Sequence, residues 1–104
     1  MSMALALDKA TAADFTNHVG SEFGVALEEG QPPIENLLLT EVVTGPVAAG
    51  TMRSPFVLVF EGPSGPGIPA QILHVTHEVL GAMDIYVAPL GRDAEKWRYQ
   101  AIFN

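Results

Sequence analysis

Two histidines and a carboxylate fall within five positions, in the run His74-Val-Thr-His77-Glu78. Imidazole changes charge near neutral pH and is the commonest nitrogen ligand for metals, so metal binding and acid–base chemistry are the first readings to weigh. On a helix, His74 and His77 would share a face; on a strand they point to opposite sides. The flanking residues, Gln71-Ile72-Leu73 before and Val79-Leu80-Gly81 after, read as a strand running into a turn. The pair then cannot chelate one ion without a bulge, and the third histidine, His18, falls on a separate and distant helix. No metal and no cofactor is expected.

With Leu73 and Val75 inward against Met83, Ile85 and Val87, the simplest hairpin register sets Val75 opposite Ile85. His74 then lies beside Tyr86 and Thr76 beside Asp84, a polar set on the outer face that reads as an ordinary cross-strand set before a ligand or partner patch. His77, at the mouth of the turn, is expected to bond a loop carbonyl. Other chemistry has less support. Gly62-Pro-Ser-Gly65-Pro-Gly67 is glycine-rich, but no Lys-Ser or Lys-Thr follows it and no helix opens after it, so it is not a phosphate loop. Ser54 and Ser64 sit in no Gly-x-Ser-x-Gly elbow. Glu28 and Glu29 are adjacent and diverge on a strand, which is a poor acid–base pair. The sequence shows no catalytic signature, and a noncatalytic protein is the expectation.

The elements that would position these residues are short. Thr11 can cap a helix over residues 12–19, with Asp14 near its positive end, Phe15 and Val19 on one face and Gly20 as its stop. Two turns cannot stand alone, so this helix should plug one end of a sheet. From Gly20 the period changes to two, and Phe23, Val25 and Leu27 mark the buried side of a strand. Residues 34–43 and 55–60 follow as strands that carry apolar groups on both faces, Leu37, Leu38 and Leu39 in one and Pro55-Phe-Val-Leu-Val-Phe60 in the other. Something must cover the second face. Residues 45–50 form a loop, and residues 61–69, with three glycines and three prolines, exclude helix and central strand. Residues 70–77 and 83–89 flank a turn at Glu78-Val79-Leu80-Gly81. A last strand alternates Trp97, Tyr99, Ala101 and Phe103 with Arg98, Gln100 and Ile102. The stripe reads as core, with Arg98 and Gln100 in solvent and Trp97 the aromatic best placed to meet a partner. The expected architecture is one mainly β domain over residues 1–104, an antiparallel six-stranded meander forming a small barrel or sandwich with one short N-terminal helix.

Composition narrows the function classes. The 104 residues suit a single domain, and 48% hydrophobic against 16% charged content suits a folded one. The net charge of −7 repels phosphate backbones, and the four cations after Met52 are too few for a nucleic-acid footprint. Without cysteine there is no disulfide, thiolate or thiol chemistry. No apolar run reaches the ~18 residues of a spanning helix, and the opening MSMALALDKA lacks a basic leader, so a soluble, cytoplasmically synthesised protein is expected.

Three stretches carry a resemblance: Asp14-Phe-x-x-His-x-Gly20, His77-x-x-Leu-Gly81, and Tyr99-x-Ala-x-Phe-Asn104. With the run Leu73 to Gly91 they make the chain similar to a family of short uncharacterised bacterial proteins, many of which have Pro where this chain has Glu78. The resemblance implies the neighbourhood of phage tail-collar-like proteins, hence a structural or accessory role in an exported or virion-like assembly.

Two functions from different classes follow as expectations. One is an interaction module that packs a second apolar face, including Leu37, Leu39, Val57 and Val59, against a copy of itself or an assembly protein. Its further candidate contacts are His74, Tyr86 and Trp97. The other is a small hydrophobic-ligand binder that uses the barrel interior or the face bearing His74 and Tyr86.

Overall fold

The structure is a computed structural model that describes residues 11–44, 55–63, 67–93 and 95–103. The amino-terminal run, the loop at 45–50, and Ser54 and Ser64 lie outside the described residues. One short helix, α1 (Ala12–Thr16), precedes six strands: β1 (Glu22–Ala26), β2 (Glu35–Thr44), β3 (Phe56–Gly62), β4 (Gln71–His77), β5 (Gly81–Asp93) and β6 (Lys96–Phe103). They close into an antiparallel barrel in the order β1-β2-β3-β6-β5-β4, with β4 returning to pair with β1. Of the expected barrel or sandwich the chain forms the barrel, built as two three-stranded meanders joined along β3–β6 and β1–β4.

Each strand's alternation fixes which side chains fill the interior. Phe23 and Val25 from β1, Leu58 and Phe60 from β3, Leu73 and Val75 from β4, Met83, Ile85 and Val87 from β5, and Tyr99 and Ala101 from β6 join one buried cluster. Leu27 departs from its expected inward place. The ladder ends at Ala26, where the Ile34 N–H donates to the Val25 carbonyl and closes the turn, leaving Leu27 about half exposed.

The triple leucine of β2 has a local explanation. Leu37 and Leu39 are fully buried inside the barrel and only Leu38 lies outward, half covered. A bulge between Leu39 and Glu41 then inserts one residue, and the Thr40 hydroxyl donates to the Val59 carbonyl across it. One extra residue reverses the inside–outside parity, so Val42 packs against the core while Val43 faces out. The bulge accounts for the adjacent Val42 and Val43, ordinary alternation leaves Leu38 alone of the three leucines outside, and Leu37 and Leu39 are not a docking surface. In β3, Val59 points away from the interior cluster yet is 5% exposed, and Val57 is half-buried. This strand also runs two residues further than expected, through Glu61 and Gly62.

α1 begins as its sequence dictates. The Asp14 carboxylate accepts the Thr11 backbone N–H at 2.8 Å and its hydroxyl at 3.3 Å, occupying donors that the first turn leaves unpaired. The helix is shorter than expected, one turn followed by hydrogen-bonded turns to Gly20, whose φ of 94° suits only glycine. Phe15 reaches into one end of the barrel with no exposed surface, 5.8 Å from the Phe56 ring and 5.6 Å from the Phe103 ring, which themselves stack at 4.6 Å. At the other end no helix is present among the described residues. There the loop after β3 turns Ile68 into the core, and the Tyr99 hydroxyl accepts the Ile68 N–H at 3.0 Å.

Candidate functional site

Strand order brings together what the chain keeps apart. β1 and β4 are antiparallel neighbours, so the start of β1 lies at the end of β4. His77, the last residue of β4, therefore meets the segment that joins α1 to β1. The His18 ring lies 4.7 Å from it, the Phe23 ring 4.4 Å, and the Ser21 hydroxyl 3.0 Å from Nε2. His18 is therefore not remote from His77, as chain distance alone suggests.

The hydrogen bonds assign the proton. His77 Nδ1 accepts two backbone donors, the N–H of Val79 at 3.0 Å and of Leu80 at 3.2 Å, so it carries a lone pair. The expected carbonyl partner is replaced by these two amides, because the turn curls back over the ring. A neutral ring then holds its hydrogen on Nε2 and donates it to Ser21 Oγ, whose own hydrogen goes to the His18 carbonyl at 2.6 Å. Burial pushes the His77 pKa below its ordinary value of 6.5; the neighbouring His18 adds to this, and Glu78 works against it.

This wiring decides what the cluster can do. A serine beside a histidine suggests an activated nucleophile, but that chemistry needs an unprotonated nitrogen facing the hydroxyl, and here an N–H faces it. The same N–H leaves no lone pair for a metal, and among the described residues no group of three or more His, Asp or Glu side chains is placed to hold one. What the ring does do is close the turn. By binding the amides of Val79 and Leu80 it draws Gly81, at φ 86°, directly opposite His77.

That tight closure shifts the hairpin by two residues from the simplest register. Val75 pairs with Met83, and His74 pairs with Asp84 instead of lying beside Tyr86; Tyr86 lies opposite Ile72, and Thr76 opposite Ala82. The inward set is unchanged because a shift of two preserves the faces. His74 Nδ1 is 2.9 Å from the Asp84 carboxylate, a bond at the surface that contributes modestly.

The other candidates lie elsewhere. Trp97 is half-buried against the interior cluster, with Gly67 so close that a β-carbon there would sit 2.8 Å from the indole, and with the Arg92 guanidinium 6.0 Å from the ring centre. It closes the loop end. Tyr99 and Phe103 are core, while Arg98 and Gln100 are half-buried and not fully in solvent as expected. Two surface clefts flank these features. One, of about 530 Å³, is lined by Ser21, Glu22, Thr76, His77 and Glu78. The other, of about 520 Å³, lies at the loop end among Leu27, Ile34, Ile68 and Pro69, with Glu35 and Gln71 also lining it. The His18–His77 cluster was the feature hidden from sequence, and the signal that finds it is the β1–β4 pairing.

Fold and site together describe a closed, six-stranded antiparallel barrel with a short helix at one end and a histidine-closed hairpin beside it. Residues 10–103 match the family described as Domain of unknown function (DUF6916), and the chain belongs to that family. No curated protein and no solved structure matches the chain.

Proposed function

We propose that the domain is a noncatalytic interaction module that associates through the outer wall of its barrel. The observation that supports it is an alignment of apolar side chains across five strands, four of them exposed and Val57 among them half-buried. Val43 pairs with Val57, and Val57 with Ile102; Ile72 pairs with Tyr86. Tyr86 and Ile102 both lie two residues beyond the Ala88–Gln100 pair that joins β5 to β6, so the two runs adjoin. Ile72 is 63% exposed, Tyr86 and Ile102 57% each, and Val43 44%. Isolated apolar residues on a surface need no explanation, but a row of them on neighbouring strands is what an association surface requires. The surface differs from the one the sequence suggested. Val57 and Tyr86 remain in it, Leu37 and Leu39 lie inside the barrel, and Val59 is already covered.

A second reading, a small apolar ligand, has the cleft of about 520 Å³ at the loop end in its favour, since the interior itself is filled by side chains. The family match carries no tail-collar association, and the proposal does not depend on one.

The test is molar mass by size-exclusion chromatography with light scattering, over a range of concentrations, for the natural chain and for Ile72→Asp and Ile102→Asp. Both positions are exposed, so the fold should persist. Association that disappears in both variants supports the module. A natural chain that stays monomeric at every concentration ends the self-association form of the proposal, and hydrophobic-dye uptake by that monomer would favour the ligand reading.

A further inference from the structure

From the bonding around His77 we infer that the helix end of the barrel carries an acid-released latch. The ring ties two segments to the end of β4. Its Nδ1 holds the amides of the β4–β5 turn, and its Nε2–H holds Ser21, whose hydroxyl in turn holds the carbonyl of His18. The same connector is tied to β2 by two backbone bonds, Gly20 N–H to the Leu39 carbonyl and Leu39 N–H to the Ser21 carbonyl. The ring is 7% exposed in its residue and lies against Phe23.

Only the neutral ring can make this set of bonds. A second proton goes to Nδ1, the position at which the N–H groups of Val79 and Leu80 both point. Donor then faces donor, the two turn amides lose their acceptor, and a charge is placed in a site walled by Phe23. Among the described residues, the titratable groups around the ring are His18 from the connector and Glu78 from the turn, with Glu22 from β1 lining the same cleft. Phe23 and Thr76 bring no charge. His18 works against a charge on His77 from the connector side, whereas both carboxylates line the open cleft next to the ring. The imidazolium thus has a way out, by swinging from the bonded position into the cleft, where Glu22 and Glu78 receive it. The latch opens the β4–β5 turn and the α1–β1 connector together, while β3 and β6, on the far side of the barrel, take no part.

The test is nitrogen-15 NMR of the histidine rings, with amide hydrogen exchange, on the natural chain between about pH 7.5 and 5. At the upper end His77 should show the Nε2–H tautomer. As it takes up its proton, the amides of Val79 and Leu80 should lose protection, while those of Leu58 and Phe60 keep it. His77→Gln should abolish that local loss. If this variant does not fold, Ser21→Ala removes only the Nε2 partner, and its turn amides should still open with the titration of His77. An Nδ1–H tautomer at neutral pH, or turn amides whose protection is unchanged while His77 titrates, overturns the latch.

Discussion

The barrel is stoppered differently at its two ends. At the helix end the plug is an aromatic from a regular element: Phe15, wholly buried on the stacked pair Phe56 and Phe103. At the loop end the plug is aliphatic and comes from irregular chain. Ile68 enters the core, one hydrogen bond to Tyr99 holds its backbone, and the bare Cα of Gly67 lets the chain lie on Trp97. The first end relies on buried apolar volume, which responds to lost atoms. The second relies on close approach and a single polar contact, which respond to added atoms and to a missing hydroxyl.

Four substitutions probe that contrast, and the largest effect is expected from Phe15→Ala. Emptying this site should cost about 3–5 kcal/mol in urea denaturation, as for other buried phenylalanines. A loss under about 1 kcal/mol would mean that the helix is not the plug. Ile68→Ala should cost about 2 kcal/mol, at the low end for its type, because loop chain can settle into the space. For Gly67→Ala the order of 1–2 kcal/mol is expected from overpacking. Because Trp97 is the single tryptophan, its emission should shift to the red as the indole is pushed outward. An unshifted spectrum at full stability would show that the loop does not rest on the ring. Tyr99→Phe leaves the Ile68 N–H without its acceptor and should cost about 1 kcal/mol, with faster exchange of that amide.

The smallest effect belongs to the helix end and concerns pH. His77 binds its proton less readily when folded than the ordinary value of 6.5 allows when unfolded. Its contribution is therefore complete above 6.5 and declines as pH falls through the lower, folded value, because the unfolded chain binds more protons in that window. Urea midpoints of the natural chain should fall across this range, and those of His77→Gln should fall less. Equal slopes would assign the pH dependence to other groups.

Much of the fold could be read from residue order. Alternation, or for β2 and β3 an apolar run between turn residues, located all six strands, and the Thr11–Asp14 spacing with Gly20 located the helix, because these signals are local. What escaped was set by single residues acting across the structure. The bulge at Thr40 reversed the parity of β2 after Leu39, so that Val42 and not Val43 meets the core, and alternation carries no sign of an inserted residue. The hairpin register depended on a side chain, His77, capturing two amides, which turn length alone does not reveal. The site was legible as residues and illegible as a cluster. His18, Ser21 and His77 meet only because β1 closes against β4, and strand order is what a pattern of short strands leaves open.

The join between β1 and β4 has a further consequence for how the molecule comes together. Only three residue pairs were found along it, Gly24–Thr76, Val25–Val75 and Ala26–His74, each linking positions about fifty apart in the chain. Within β1–β2–β3 and within β4–β5–β6, by contrast, every strand pairs with its immediate successor. Local hairpins form early because little loop entropy opposes them, whereas distant pairings wait. Each meander is thus a natural half, and the segment between Gly62 and Gln71 is the one covalent bridge between them. Two fragments separated in that segment have the geometry to find each other and rebuild the barrel along β3–β6 and β1–β4, as a two-piece protein.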